Sequence, residues 1–411
     1  MYTFRIGLFA ALVSTATAFG QAKVVPAGSS IATTSGGKVR FNAGLDATAP
    51  VTTNPTWSNA RTAPAAKQAG SAAAPRTFTI LYDWAPTSDP TINGILEKAR
   101  AKPYILVYQN VDLPSIKSCV IDSSKIIADV RQRFGNNPTG WGMLDFEDPF
   151  DAVLQSGPSH PKYETSVRSM VQAIRDTKRA FPNVKWTYYG IPGLAYWPGG
   201  SLWANASPEK RAAEVERQVQ GYGPVLAELD WFSPCLYDVY RLDTMTPEAQ
   251  AAHLVNEREY RIARIGVIRE FLRRNNLPAR PIIPSVSPFY GPGGNTTEND
   301  VIPRDEVIRD QILPVIAAGA DGIAIWSCAN WYVQQATLPT DPNNRTQQRV
   351  RGSYRSGFLA GSEPTAWNSP SMKAMLTRRV GNAVASMGYY AREAARVKKV
   401  DQGTSALVGK P

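Results

Sequence analysis

The feature that most limits the possible folds is a regular alternation of short apolar runs with longer amphipathic stretches, which begins at Arg76. The apolar runs are rich in β-branched and aromatic residues and are often hydrophobic throughout, as strands buried on both faces should be. The predicted strands are Thr77–Asp83, Tyr104–Gln109, Trp141–Phe146, Lys185–Gly190, Trp231–Leu236, Pro281–Val286 and Gly322–Trp326.

Helical patterns fill the stretches between these runs. Ser207-Pro208 and Thr246-Pro247 each provide a capping residue followed by proline in the first turn, which marks the start of a helix. Strands that alternate with helices indicate a parallel sheet with right-handed crossovers. Seven or eight such units in one stretch predict an α/β fold with a single closed (β/α) TIM-like barrel. The predicted helices are Lys162–Ala180, one from Pro208, Pro247–Asn275, Pro303–Ala318 and Met372–Ala395.

The chain before Arg76 differs in composition and lacks this alternation of apolar and amphipathic stretches. Arg5, the apolar run Ile6–Val13 and the small residues Ala16-Thr17-Ala18 predict a signal peptide, and therefore a secreted or periplasmic protein. The run is too short to span a bilayer, so no membrane insertion is expected. The Ala/Thr/Ser/Gly/Pro-rich stretch that follows cannot repay its ordering entropy and is predicted to be a disordered leader. The predicted divisions are a signal peptide at 1–20, the leader at 21–75, the barrel at 76–395 and a tail at 396–411.

Composition narrows the chemistry. Three cysteines and two histidines in 411 residues provide neither a disulfide framework nor a cluster with metal-ligand spacing. We therefore expect no metal and no cofactor, and we look for an acid or base among carboxylates and tyrosines. The net charge of +11 suits an anionic polymer as partner, and it is also compatible with a solvated cationic surface that has no such partner. The basic residues are scattered and form no nucleic-acid recognition motif, so no nucleic-acid partner is expected.

The carboxyl ends of the predicted strands carry acidic and aromatic side chains. In a β/α barrel, catalytic groups come from these ends. Aromatic faces beside acids suit sugar rings, which stack on the rings while their hydroxyls reach polar groups. The sequence therefore predicts a carbohydrate site. Its candidate residues are Asp83, Trp84, Tyr108, Asp145, Glu147, Tyr188, Tyr189, Tyr237, Asp238 and Trp326.

The strongest single signal is Asp145-Phe146-Glu147 at the end of the third predicted strand. Alternation places both acidic side chains on one face, with their Cα atoms about 6.5–7 Å apart. Mutual repulsion raises the proton affinity of one of them, which suits a general acid. Neighbours on one strand flank the same side of a sugar, so Asp145 is expected to assist Glu147. The nucleophile then comes from the substrate or from another strand, where Asp83 and Asp238 are the candidates.

Five segments, in this order and on the predicted strands, resemble the hyaluronidase family of glycoside hydrolases (family fifty-six). The resemblance covers most of the region from Arg76 to about Ala395. The segments are Trp84-Ala85-Pro86-Thr87, Gly142-Met143-Leu144-Asp145-Phe146-Glu147, Trp186-Thr187-Tyr188-Tyr189-Gly190-Ile191-Pro192, Ser233-Pro234-Cys235-Leu236-Tyr237 and Gly319-Ala320-Asp321-Gly322-Ile323-Ala324-Ile325-Trp326-Ser327.

The resemblance implies a distorted barrel of seven parallel strands in which Glu147 protonates the glycosidic oxygen. It further implies that Asp145 holds and polarises the 2-acetamido group of the substrate, whose carbonyl oxygen attacks the anomeric carbon. Tyr237 would help to position that group and Trp326 would form a wall of the pocket. Tyr196 would match a later tyrosine of the family.

The chain also departs from the family on loops that contact substrate. Asp148-Pro149-Phe150 replaces Trp-Arg-Pro, and Gly193-Leu194-Ala195-Tyr196 replaces Asp-Cys-Tyr-Asn. The barrel disulfides of the family have no counterpart here. The catalytic groups can therefore be shared while the glycan differs from hyaluronan.

Three hypotheses about function follow. The first is a secreted, endo-acting glycoside hydrolase that cleaves an anionic polysaccharide of hyaluronan or chondroitin type, with acetamido assistance and retention of configuration. The second is an endo-glycosidase on a sulfated polysaccharide such as a fucan, with Asp238 or Asp83 as nucleophile. The third is a carbohydrate-binding barrel without catalytic activity, because a fold alone does not establish chemistry.

Overall fold

The computed structural model describes part of the chain. The predicted signal peptide and leader lie outside the described residues, as do the candidate site residues Trp84 and Tyr196. All described residues belong to one compact unit. In this part of the chain no helix is long and apolar enough to cross a membrane. The described residues are 78–83, 89–112, 117–193, 203–238, 240–289, 302, 306–326, 333, 336–344, 347–348, 350–351 and 367–408.

The described part contains two four-stranded sheets in which every pair of neighbouring strands is parallel. One sheet has the order β2-β1-β8-β7 and the other β3-β4-β5-β6. The parallel α/β architecture predicted from the sequence is therefore confirmed. The strands are β1 (Thr79–Tyr82), β2 (Lys102–Pro103), β3 (Ile105–Tyr108), β4 (Gly140–Asp145), β5 (Val184–Gly190), β6 (Ser233–Pro234), β7 (Ser285–Val286) and β8 (Gly322–Ile325).

Helices follow most of the strands. Both predicted cap-proline starts are present, since Ser207 Oγ accepts a hydrogen bond from the Lys210 N–H at 3.4 Å and Thr246 Oγ1 accepts one from the Ala249 N–H at 3.3 Å. A π-helical segment, Val307–Ile312, precedes α7. The helices are α1 (Pro90–Ala99), α2 (Ser123–Phe134), α3 (Phe150–Ser156), α4 (Tyr163–Ala180), α5 (Pro208–Leu226), α6 (Pro247–Arg274), α7 (Leu313–Ala317) and α8 (Pro370–Val408).

Among the described residues the strand ladders do not close into one ring, so the single closed barrel is supported only as a parallel α/β fold and its seven-strand count stays a prediction. Prolines shorten two of the predicted strands, because Pro234, Pro281 and Pro284 have no N–H to donate to a ladder. The sheets are still connected by isolated contacts. These are the parallel bridges Phe232 with Ile282 and Cys235 with Ser285, and a hydrogen bond from the Tyr104 N–H to the Tyr82 carbonyl at 3.1 Å.

Side-chain alternation divides the core into two layers. An outer layer fills the space between the sheets and the helices, and residues such as Ile80, Leu144 and Ile323 belong to it. Both sheets contribute to an inner layer, so their inner faces meet. Partly buried aromatic side chains of Tyr108, Tyr189 and Trp326 pack against this inner layer where their strands end. The inner layer consists of Leu81, Tyr104, Leu106, Met143, Trp231, Ile283 and Ala324.

Gly142 on β4 is required by the close approach of Trp186, its partner in the β4–β5 ladder. A Cβ at Gly142 would lie 2.4 Å from atoms of the Trp186 ring, which is fully buried. We expect Gly142→Ala to destabilise the protein by about 1–3 kcal/mol, the usual cost of overpacking a core. Thermal unfolding followed by circular dichroism measures this effect.

The matched control is Gly94→Ala in α1, where an added Cβ meets no atom within 4 Å. This change should leave the Tm unchanged or raise it, because alanine is the better helix former. Equal Tm values for the two variants would contradict the packing of Gly142 against Trp186.

Candidate active site

The two acidic residues of the central motif lie at the carboxyl end of β4. Asp145 is the last residue of the strand and pairs in register with Tyr108, the last residue of β3. Phe146 points to the other face, where its buried ring packs edge-on against Tyr188 at a centroid distance of 6.3 Å. Asp145 and Glu147 therefore share one side of the strand, and their carboxyl groups form a hydrogen bond with each other.

The pair is built to hold a proton near neutral pH. Burial raises the pKa of Asp145 to about 7, although its hydrogen bond with Glu147 acts in the opposite direction. Burial also raises the pKa of Glu147 well above its ordinary value, and the charge of Asp145 and the shared hydrogen bond raise it further. Glu147 is thus the group that carries the shared proton.

Glu147 combines a crowded carboxyl group with access to solvent. The residue is exposed, whereas Asp145 is only 8% exposed. Its backbone N–H donates to Gln109 Oε1 at 3.1 Å, which fixes the chain just after β4. Burial of the carboxyl and the neighbouring acidic groups Asp145 and Asp148 together raise its pKa. The proton on Glu147 can therefore reach a ligand in the cleft.

A third carboxyl group, Asp151, belongs to the same cluster. It lies in the first turn of α3, where its N–H donates to the Glu147 carbonyl at 3.0 Å. Its pKa is raised to about 7, first by burial and then by the charge of Glu147, while Arg264 lowers it. Asp151 was not among the candidates from the sequence. Its position four residues after Glu147, at a helix start, is the signal that could have found it.

Replacing Asp151 by Asn should change the pH dependence of catalysis. The negative charge of Asp151 raises the pKa of Asp145, and Asp151 and Glu147 repel each other. Without that charge the proton on the pair is lost at lower pH. The alkaline limb of the pH–rate profile should therefore move down by roughly 0.5 pH unit or more. The control is Glu97→Gln at an exposed position on α1, which should leave the pH–rate profile unchanged. If the alkaline limb did not move in Asp151→Asn, the charge of Asp151 would not act on the Asp145–Glu147 pair.

An aromatic wall stands beside the carboxyl pair. The rings of Tyr237 and Trp326 stack at a centroid distance of 5.2 Å and an angle of 17°. The ring centroids of Tyr189 and Tyr237 are 6.1 Å apart. The charges of Glu147 and Asp145 contribute to the raised pKa of Tyr189, so this ring lies between the aromatic wall and the two acidic residues. Burial raises the pKa of the Tyr189 and Tyr237 hydroxyls well above the ordinary value, so both hydroxyls remain protonated and can donate hydrogen bonds. Tyr189 is a polar neighbour of the buried Tyr237 hydroxyl, and its presence contributes to the raised pKa of Tyr237.

A buried arginine supports the floor of the site. The Arg264 guanidinium, on α6, donates to the carbonyls of Gly190, Pro192 (2.7 Å) and Cys235 (2.5 Å). It thereby ties the end of β5 to the residue after β6. Burial raises the pKa of the Cys235 thiol, and its Tyr189 neighbour donates to it, so Cys235 packs as a neutral side chain.

Tyr188 is a correction to the sequence analysis, which placed it in the substrate site together with Tyr189. Its ring is fully buried, and its hydroxyl donates to the Met170 carbonyl on α4 at 2.9 Å. Successive residues of a strand face opposite sides, so only one of the two tyrosines can face the cleft. Tyr189 does so and Tyr188 anchors α4.

The two candidate nucleophiles on other strands are differently placed. The buried Asp238 carboxylate pairs with Arg261; burial raises its pKa and that cation lowers it. A carboxylate engaged in this way is a poor nucleophile. Asp83 is half-buried just after β1, where its N–H donates to the Ile325 carbonyl at 3.2 Å. In the described part of the chain no group of His, Cys, Asp or Glu is arranged to hold a metal ion.

Comparison with known proteins gives remote similarities of fold. No protein-family model matches the sequence, and no curated protein matches it. Bee venom hyaluronidase matches with 14% identity over 68% of this chain and 98% of its own, with a TM-score of 0.44. The same enzyme in complex with a hyaluronic acid tetramer gives a TM-score of 0.41, at 14% identity, 68% of this chain and 96% of that one.

A more distant match is an endo-1,4-β-D-mannanase from Thermotoga petrophila, with 16% identity over 45% of this chain and 44% of the enzyme. Its TM-score is 0.26. Similarities of this size establish neither a family nor an activity. What the protein can do must therefore be derived from its own side chains.

Proposed function

We propose that the protein is a glycoside hydrolase in which Glu147 is the general acid. The observation that supports this most is the hydrogen-bonded carboxyl pair at the end of β4, which keeps a proton on a solvent-accessible group. Beside the pair, the partly buried rings of Tyr189 and Trp326, which pack against the buried ring of Tyr237, provide flat apolar faces of the kind that bind sugar rings. An acid beside such a wall is suited to protonating a glycosidic oxygen.

The proposed nucleophile is the 2-acetamido group of the substrate. Asp145 Oδ1 is buried and accepts no hydrogen bond from the described residues, so it is available to an acetamido N–H. The protonated Tyr237 hydroxyl, whose neighbour is Tyr189, can turn to donate to the acetamido carbonyl. The carboxylates that act most strongly on Glu147 are Asp145 and Asp148, both on its own segment and not across the cleft. The substrate class is therefore a polysaccharide that contains N-acetylhexosamine, of hyaluronan or chondroitin type, cleaved with retention.

The proposed anionic character of the polysaccharide rests on the net charge of +11, and the proposed extracellular site of action rests on the predicted signal peptide. The groups next to Glu147 are carboxylates, which repel an anionic polysaccharide. Any attraction of such a polysaccharide must therefore come from basic residues of the protein that lie away from Glu147. If so, raising NaCl from about 0.05 M to 0.5 M should weaken hyaluronan binding several-fold, because salt screens exposed charges. Neutral N-acetylglucosamine oligomers should be unaffected, and salt-insensitive hyaluronan binding would contradict the anionic proposal.

The activity is tested by incubating the full chain with hyaluronan, chondroitin sulfates and a sulfated fucan, and by measuring new reducing ends. The proposal expects cleavage of at least one N-acetylhexosamine polymer to oligosaccharides. Cleavage of the fucan alone would favour a second carboxylate as nucleophile. Binding without any cleavage, by a correctly folded protein, would favour a non-catalytic carbohydrate-binding role.

A further inference from the structure

A small acidic cavity lies next to the catalytic tyrosine, outside the site described above. Its volume of about 10 Å³ is roughly the room that one water-sized group needs. It is lined by the segment after β6, by α6 and by the π-helical segment that precedes α7. The polar and aromatic side chains around it are Asp238, Tyr240, His253, Glu257, Glu306 and Asp310.

Glu257 is the residue in this cavity that calls for a ligand. It is 3% exposed, and neither of its carboxylate oxygens accepts a hydrogen bond. Among the described residues its ionic contact is with Arg261 at 3.3 Å, and that guanidinium is already paired with Asp238. A buried carboxylate without hydrogen bonds is costly, so the site favours an incoming donor.

Two arginines of the described residues already pair with carboxylates at the cavity. Arg309 pairs with Asp310 at 2.7 Å, and Arg261 is shared between Asp238 and Glu257. The nearby imidazole of His253 does not help, because burial and the Arg261 charge lower its pKa to about 4 and keep it neutral. None of these described cations donates a hydrogen bond to Glu257, so a small group with several N–H donors suits the cavity.

We propose that this cavity binds a primary ammonium group, with Glu257 as its main acceptor. An ammonium group has three N–H donors and is close to a water molecule in size, so it can satisfy the Glu257 oxygens within the space available. A metal ion is the poorer fit, since no described cluster is arranged to hold one. The half-buried ring of Tyr240, which also lines the cavity, adds a cation–π contact.

Two sources can supply this group. Asp238, which lines the cavity, directly follows Tyr237, which belongs to the aromatic wall. A free amino sugar within a bound glycan could place its ammonium group there, and a small free amine could enter the cavity by itself. The site goes beyond the proposed hydrolase function, because binding is measured without turnover.

The first experiment measures Tm and heat of binding of the full chain with methylammonium chloride at about pH 8, against equal concentrations of sodium chloride and tetramethylammonium chloride. Tetramethylammonium carries the charge without an N–H donor. We expect a saturable rise in Tm with methylammonium alone, and at least a tenfold loss of affinity in Glu257→Gln, about the loss of one charge-assisted hydrogen bond. Glu248→Gln, an exposed change on the same helix, should bind like the wild type.

Glu257→Gln is expected to fold, because burial raises the pKa of this carboxyl to about 8 and a neutral amide of the same shape avoids that cost. Should it fail to fold, Tyr240→Ala in the lining of the cavity provides the same comparison. Equal responses to methylammonium and tetramethylammonium would overturn the proposal, and so would unchanged methylammonium binding in Glu257→Gln.

A second arm separates the two sources. Partly de-N-acetylated and fully acetylated N-acetylglucosamine oligomers are compared for binding to the wild type and to Glu257→Gln. Tighter binding of the de-N-acetylated oligomer, lost in Glu257→Gln, supports an ammonium group carried by the glycan. Equal oligomer binding together with specific methylammonium binding supports a site for free amines. This result is independent of whether any glycan is cleaved, so a failure of the hydrolase proposal remains distinguishable.

Discussion

Glu147→Gln is expected to lower turnover of a glycan substrate by about 10³-fold or more, while substrate binding changes little. The amide keeps the shape of the side chain but carries no acidic proton for the leaving oxygen. The loss is expected to be large because the site is organised around this one proton, which the raised pKa of Glu147 retains near neutral pH. Initial rates of reducing-end release, with binding measured separately by calorimetry, test this outcome.

The control for this change is Glu164→Gln, at an exposed position in the first turn of α4. It removes the same functional group away from the cleft and should retain full activity. Equal loss of activity in both variants would point to a general effect of charge, and near-wild-type turnover in Glu147→Gln would remove Glu147 from the acid role.

The second large effect is expected for Asp145→Asn, with a loss of about 10²–10³-fold in kcat, of the size that removal of one preorganised electrostatic contact causes. The variant loses the charge that polarises the proposed acetamido nucleophile. It also lowers the pKa of Glu147, because the Asp145 charge and hydrogen bond both raise it. The alkaline limb of the pH–rate profile should therefore move to lower pH in the same variant.

Asp148→Asn separates the two contributions of Asp145. Asp148 is exposed and also raises the pKa of Glu147, but it does not share the hydrogen bond of the pair. Its replacement should cost less than about tenfold, because only a charge effect is lost. If Asp145→Asn and Asp148→Asn had equal effects, Asp145 would act through charge alone and not through contact with substrate.

The sequence predicted the class of fold because its signals are local. Buried parallel strands have continuous apolar runs, and the cap-proline helix starts at Ser207-Pro208 and Thr246-Pro247 are set by neighbouring residues. How far the sheets close depends on backbone hydrogen bonds between distant strands, which local pattern does not specify. The prolines around β6 and β7 were visible in the sequence, yet their effect on those strands was not predicted.

The site was predicted where strand geometry determines it and missed where tertiary packing does. Alternation places Asp145 with Glu147, and the same rule should have separated Tyr188 from Tyr189. The contribution of Arg264 could not be read in the same way, because it reaches the site across the fold from a helix about seventy residues beyond β5.

The sequence pattern of α6 does indicate that Arg264 is buried. Arg261 and Arg264 both occupy the buried face of the helix, in step with Ile265 and Ile268. Arginines at apolar-face positions of a helix are seldom buried unless they hold carbonyls or carboxylates. Here one holds backbone carbonyls beneath the cleft and the other holds Asp238. Such residues are candidates for site support in other chains of this architecture.

The most direct test of the central claim is the anomeric configuration of the first product. NMR spectra are recorded during the first minutes of cleavage of an N-acetylhexosamine polysaccharide by the full chain. Attack by the acetamido carbonyl followed by water, with Glu147 as acid and then base, predicts retention of configuration. An inverted first product would contradict the account, because inversion requires a carboxylate that activates water on the opposite face of the sugar.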